Sequence, residues 1–473
     1  MSVELITVLA MAAVFAVAMA VPVNMGAVAF AAAFLVGTLA VGMTADEILA
    51  GFPGSLFLIL VGVTYLFAIA QTNGTVDLLI RWAVAAVRGR AALLPWVMFA
   101  TASVLTAIGA LSPAAVAIVA PVAMGFAARY RIDALLMGAM VVHGAQAGSF
   151  SPVSVYGGIV AGILDDLPIA MNAMAVFALT YAFNLAFAAV LYLVLGRRTG
   201  GTGGPAQRAS SGRVRKAERA AVGAGAPAGP GGSASGDGIG HGDGIGHGDG
   251  GPGAGTADRP ADDTPASDAG QGPARIGLPQ VLTLLGLAVM VVLTVGFQLH
   301  LGAVAMGVAV VLALAFPRQQ KEAVDKISWP IVLLLCGVLT YVSVLEEAGT
   351  IEWVGDAVVG LDAALLSALV LCAIAAAVTA VASSTAMLGM LIPLAAPFLM
   401  QGDVSTTAMI AALAISVTMT DISPFSTNGA LVLANSRTGD AQRFSRRMLA
   451  YTGLTCVAAP LVSWAAIVVP GVF

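Results

Sequence analysis

Serine, proline and glycine recur at one spacing in two places where the surrounding sequence is apolar. "SPVSVYG" occupies 151–157 and "SPFSTNG" occupies 423–429, both of the form S-P-x-S-x-x-G. Serine is a favoured helix cap and proline a favoured first helical residue, so each Ser-Pro pair reads as the start of a half-helix. Two more polar tips interrupt apolar sequence, Ser112-Pro113 in "GALSPA" and Ser383-Ser384-Thr385 in "ASSTA". A half-helix start exposes free N–H groups and the positive end of the helix dipole, which makes it an anion site. No Lys or Arg stands within these segments. An anion there falls to helix ends, hydroxyls and amides: Ser112, Pro113, Ser151, Ser154, Ser384, Thr385, Ser426, Thr427 and Asn428. Two equivalent half-sites suit a small dianion with a carboxylate at each end. A Ser-Pro kink at a packed interface is the plainer alternative for any single break.

Charge near the breaks is sparse. Asp421 takes the place that Ser149 holds in the other copy of the motif. An aspartate near the centre of a membrane helix costs about 2.5–3.5 kcal/mol on insertion scales, which calls for a partner or a function. Beside an anion site its charge repels the substrate unless a proton or a sodium ion neutralises it. Asp421, Ser149, Ser383 and His143 are therefore the candidate ion-coupling residues, with Gln146 near the same break. Plainer roles are a helix cap for Asp421 and a hydrogen-bonded structural imidazole for His143.

The elements that hold these residues belong in lipid. The 473-residue chain is 59% hydrophobic and only 10% charged, with a mean hydropathy of +0.95. Charged residues make up about a quarter of soluble domains, and several uncharged runs here are long enough to span a bilayer. The first apolar segment, 4–22, follows "MSVEL", which has no Lys or Arg, so it reads as a retained span. Cys336, Cys372 and Cys456 lie in apolar sequence and suggest small buried hydrophobes. No HExxH, CxxC, P-loop or GxSxG motif occurs.

Residues 197–276 differ from the rest. They are rich in Gly, Pro, Ser, Asp and Ala, a composition that predicts a disordered linker. The flanks, 1–196 and 277–473, answer each other. "NMGAVAF" at 24–30 pairs with "HLGAVAM" at 300–306, and 110–157 follows the second half without gaps at a shift of 272. Each half yields five spans plus one hairpin, at 91–128 and 361–400. An odd count inserts the halves with opposite orientation. Arginines and lysines fall in the loops of one side (Arg81, Arg88, Arg90, Arg129, Arg131, Arg318, Lys321, Lys326), acids in those of the other (Asp46, Glu47, Asp165, Asp166). The positive-inside rule then puts the linker in the cytoplasm and both termini outside. The expected fold is an all-α integral membrane protein of two inverted repeats, with re-entrant hairpins and broken helices at the midplane, the recurring plan of secondary transporters. The segment 75–90 has an apolar face and predicts an amphipathic helix, lying on the bilayer surface or packed on protein.

"GFPGSLFLILVGVTYLFAIAQTNGTVDLL", "GALSPAAVAIVAPVAMGFAARY" and "GSFSPVSVYGGIV" resemble the malonate/dicarboxylate carrier (MatC-type) family. The likeness covers the first 165 residues or so; the second half resembles more loosely the partner repeat of the wider ion transporter superfamily, which includes the divalent anion:sodium symporters. The resemblance implies uptake of malonate or a C4 dicarboxylate by a homodimer through an elevator-like motion. Sodium symporters of that group carry Ser-Asn-Thr at each hairpin tip; this chain departs from it with Leu111-Ser112-Pro113 and Ser383-Ser384-Thr385. The leading expectation is a cation-coupled dicarboxylate carrier of the plasma membrane, with no cofactor beyond a coupling Na+ or H+ and no nucleic-acid partner. A proton-driven exporter of an organic or inorganic anion is the alternative. A membrane enzyme would need a constellation that the intramembrane residues His143 and Asp421 alone do not supply.

Overall fold

A chain in lipid must satisfy its own backbone polar groups, and a run of apolar residues without strand partners does so as helix. The computed structural model describes residues 2–21, 23–86, 90–164, 170–196, 276–350, 353, 364–380, 384–400, 404–436 and 440–471, and among them there is no strand. The expected linker lies outside the described residues apart from its last residue, as do Ser383 and the acidic loop residues Asp165 and Asp166.

The first half contributes α1 (Val3–Ala20), α2 (Met25–Val36), α3 (Ala45–Ala50), α4 (Gly54–Thr72), α5 (Thr75–Ala86), α6 (Leu94–Ala107), α7 (Ser112–Tyr130), α8 (Ala134–Gly148), α9 (Val155–Leu164) and α10 (Ala173–Leu195). The second contributes α11 (Leu278–Val291), α12 (Leu301–Ala315), α13 (Gln320–Asp325), α14 (Trp329–Glu347), α15 (Ala364–Thr379), α16 (Ser384–Met400), α17 (Thr406–Met419), α18 (Thr427–Ala434) and α19 (Ala441–Ser463). Among the described residues six helices are long and apolar enough to cross a membrane: Gly54–Thr72, Ser112–Tyr130, Ala173–Leu195, Leu278–Gly296, Trp329–Glu347 and Ala441–Val468. The chain is a multi-pass membrane protein. α7, expected as one arm of a hairpin, is itself long enough to cross, because no charge interrupts it before Arg129.

Packing exchanges partners between the halves. α2 lies on α14 and α4 on α12; α7 lies on α18 and α9 on α16. Small residues permit the first two crossings. A Cβ on Gly337 would come within 2.0 Å of the Gly26 carbonyl oxygen, and one on Gly62 within 2.7 Å of that of Gly302. In lipid, such close backbone approach, not exclusion of water, is what holds helices together. Polar ties accompany it. Asn24 caps α2 and donates to the Pro330 carbonyl at 2.8 Å; Asn73 donates to Thr283 at 2.6 Å. Arg447 reaches both carboxylate oxygens of Asp133, at 3.1 and 2.9 Å, while Asp133 caps α8. α5 packs its Val76 and Ile80 face on protein, against α4 and α6; Leu78 is buried as well, while Asp77, Arg81 and Trp82 are exposed.

Candidate functional site

The S-P-x-S-x-x-G sequence builds one local structure twice. After α8 and after α17 the chain turns at Ser151-Pro152 and at Ser423-Pro424, with the first serine of each copy accepting from the N–H two residues on, at 3.4 Å in Val153 and 3.2 Å in Phe425. The second serine is the cap. Ser154 Oγ accepts from Gly157 N–H and Ser426 Oγ from Gly429 N–H, each at 3.2 Å. The same hydroxyls point back to backbone carbonyls: Ser154 to Ser149 and Ser151, Ser426 to Asp421 and Ser423. α9 and α18 therefore start after the second serine, at Val155 and Thr427, not at the Ser-Pro pairs as the sequence suggested. Proline serves the turn here, and the free hydroxyl three residues later takes the cap. The motif glycines are obligatory: a Cβ on Gly157 would stand 2.1 Å from the Ser151 oxygen and one on Gly429 1.9 Å from that of Ser423.

The two copies then reach across to the opposite hairpin. Asn428, in the second copy, donates from Nδ2 to Ser112 Oγ at 2.7 Å, at the start of α7. Tyr156 holds the matching place in the first copy. Its hydroxyl lies 3.2 Å from Ser384 Oγ and 2.9 Å from Thr385 Oγ1, at the start of α16. Ser112 and Ser384 are themselves related by the repeat, so one contact is made twice in two chemical versions.

Asp421 breaks the symmetry and joins the two contacts. Its Oδ2 accepts from Ser384 Oγ at 2.8 Å, from Asn428 Nδ2 at 2.9 Å and from Gln146 Nε2. Asp421, Gln146, Ser112, Ser384, Asn428 and Tyr156 are all buried. A single network thus runs from one helix start to the other through a carboxylate. Asp421 does not cap the residues after Pro424; Ser426 does that, and the aspartate side chain is free to turn outward. Ser149, its counterpart, instead bonds back to the Ala145 carbonyl at 2.6 Å within its own helix.

Other residues singled out in the sequence stand apart from this cluster. Pro113 is the second residue of α7 and half-buried. Thr427 is exposed at the start of α18, next but one to exposed Phe425. His143 lies wholly buried one turn before Gln146, with Nδ1 3.2 Å from Asn184 Oδ1 and Nε2 2.7 Å from the Tyr451 hydroxyl. Asn184 donates through its own amide nitrogen to Thr180, so its oxygen accepts and His143 Nδ1 carries the proton. Nε2 then accepts from Tyr451, and both ring nitrogens are engaged between α8, α10 and α19. Tyr156 escaped the sequence reading because an aromatic in an apolar run looks like core. The repeat held the signal, since 156 is the position equivalent to Asn428.

No curated protein matches the chain. Residues 1–149 match the family model described as dicarboxylate carrier protein MatC N-terminus, a segment that holds Ser112 and Gln146 and stops at Ser149. Those residues are therefore similar to the N-terminal part of dicarboxylate carriers of the MatC type.

Proposed function

We propose that the protein is a secondary active carrier that takes up a small dicarboxylate, malonate or a C4 acid, across the cell membrane together with a cation. One observation carries the reading: the starts of α7, α9, α16 and α18, drawn from both halves, meet in a single buried hydrogen-bond network. Helix starts offer N–H groups and positive dipole ends to carboxylates without a fixed cationic side chain. A fixed positive charge would bind a dianion in place; dipoles and hydroxyls hold it loosely enough to release. The α6–α7 and α15–α16 pairs serve as re-entrant hairpins, and the halves as inverted repeats whose relative movement exposes the junction to each side in turn. The charge pattern supports a cytoplasmic linker and external termini; the resemblance supports a homodimer and an elevator-like motion. Asp421 supplies the coupling, because its charge opposes an anion at the junction until a cation neutralises it.

Counterflow tests this. Purified protein in liposomes loaded with unlabelled malonate should admit labelled malonate faster than empty liposomes do, saturably, and succinate inside should substitute. Equal entry into loaded and empty liposomes, or an ohmic current, would defeat the carrier reading.

A further inference from the structure

The two hairpins differ in how they meet the helices beside them. α4 and α14 are counterparts, with Thr64-Tyr65 answered by Thr340-Tyr341. In the second half α16 lies close against α14, where a Cβ on Gly389 would come within 2.5 Å of the Leu335 side chain. Gly389 answers Ala117 of α7 at the shift of 272, and Ala117 is exposed. The α6–α7 tip meets α4 at Gly109, whose Cβ would stand 2.7 Å from the Val63 side chain. Beyond that contact a cleft of about 250 Å³, counted to its open mouth, parts α4 from the hairpin. α4 lines it from Thr64 to Gln71, the hairpin from Gly109 to Ala114, and Lys326, between α13 and α14, completes it beside the last turn of α4. Among the described residues Lys326 is the one charged side chain on this cleft. Its Nζ donates to Thr72 Oγ1 at 3.3 Å and to Glu322 Oε1 at 2.8 Å. Lys326 and Glu322 are both exposed, and an exposed pair one helical turn apart is weak. α3, which packs on α14 as α13 packs on α4, carries Asp46 and Glu47 and no Lys or Arg.

We propose that Lys326 is a docking group for a carboxylate of the substrate at the mouth of this cleft, on the side that the charge pattern assigns to the cytoplasm. The inference rests on the carrier reading and adds to it a residue and a side. No Lys or Arg stands within the hairpins or the breaks, so an anion that enters between α4 and the hairpin meets its one full positive charge at Lys326. The ammonium exchanges Glu322 for the incoming carboxylate, and the two carboxylates compete for it. A flexible, strongly hydrated ammonium suits this task, since it attracts as a point charge and lets go without breaking a two-pronged contact. A dianion is drawn more strongly than a monoanion, because the attraction scales with charge. The face built around α3 has acids in the equivalent place and no such group, so docking of this kind belongs to one face alone. A lysine that served only to set topology would leave the kinetics at both faces unaltered.

Membrane vesicles of both orientations, loaded with unlabelled malonate, test the two faces separately. Labelled malonate added outside meets the cytoplasmic face of the protein in inverted vesicles and the external face in right-side-out ones. Lys326→Gln should raise the KM for entry into inverted vesicles about threefold or more at low salt, and the rise should shrink at high salt as the charge is screened. The maximal rate should not change, nor should the KM in right-side-out vesicles. Lys326→Arg should restore most of the KM, and Glu322→Gln, which removes the competing carboxylate, should lower it. An unchanged KM in inverted vesicles overturns the proposal, as does a rise of the same size at both faces or a rise at the external face alone. A loss of maximal rate with no change in KM, or a higher KM in Glu322→Gln, overturns it too. Absence of counterflow in the unaltered protein would defeat the carrier reading and this inference with it; counterflow with an unmoved KM in Lys326→Gln would defeat this inference alone.

Discussion

Tyr156 and Asn428 occupy one position of the repeat and make one contact in two chemistries, phenol to hydroxyls and amide to hydroxyl. The phenol ties α9 to the start of α16 and reaches Asp421 only through Ser384 among the hydrogen bonds described. Tyr156→Phe should therefore cost about 1 kcal/mol, the usual net worth of one buried hydrogen bond. Thr385 is its nearer partner, so Thr385→Val should cost a similar amount. The double variant should cost less than the sum, because the two changes delete the same bond. Thermal unfolding of the four proteins measures this; strict additivity would show that the hydroxyls do not interact. His143 is satisfied at both ring nitrogens, and by the same logic its removal acts on helix packing. His143→Ala should lower Tm while leaving malonate counterflow intact in the protein that remains folded. Loss of counterflow in a folded His143→Ala protein would give His143 a part in transport.

The polar breaks are elements in their own right, and their stability lies in the second serine and the glycine. Ser154→Ala and Ser426→Ala each remove a cap and two contacts to carbonyls, with an expected loss of about 1–2 kcal/mol. Gly429→Ala should lose more, because its Cβ would meet backbone and not a side chain that can move aside. Tm against Ser103→Ala in α6 as control ranks them; a Gly429→Ala protein as stable as the control would refute the close approach. The breaks were legible in the sequence because Ser, Pro and Gly stand out in an alanine-rich chain and recur at one shift. Their helix starts were placed early, since Ser-Pro matches a cap followed by a first helical residue, and only the three-dimensional turn shows the later hydroxyl to be the cap. The partners of Asp421 were less legible. Gln146 is far from it in sequence, though three residues from its repeat counterpart Ser149, and Ser384 meets it from another helix. Local pattern carries no information on such pairings, although the repeat relates Tyr156–Ser384 to Asn428–Ser112 once one of them is known.

At the scale of the whole molecule, the two halves are joined by their surfaces as well as by the chain. Residues 1–204 and 276–473 form one unit by their contacts. The largest apolar cluster runs through both, from Leu56, Ile59 and Tyr156 to Leu301, Ala305 and Leu391. Apolar burial between helices contributes little in lipid, where the tails are as apolar as leucine, so the glycine crossings and the cross-half hydrogen bonds must supply the affinity. Those are many and distributed: Gly26 on Gly337, Gly62 on Gly302, Asn24 to Pro330, Asn73 to Thr283, Asn428 to Ser112 and the bidentate Arg447–Asp133 pair. None of them involves residues 205–275. A tether's entropic advantage falls slowly as its length grows, so a cut between these halves tests whether their own contacts hold them together. Residues 1–204 and 276–473, expressed as separate chains in one cell, should therefore co-purify from the membrane in equal amounts and show malonate counterflow. Gly337→Val, which forces α14 away from α2 at its closest approach, should weaken that association without preventing either chain from reaching the membrane. If both unaltered chains insert yet fail to co-purify, the covalent connection supplies what the contacts do not.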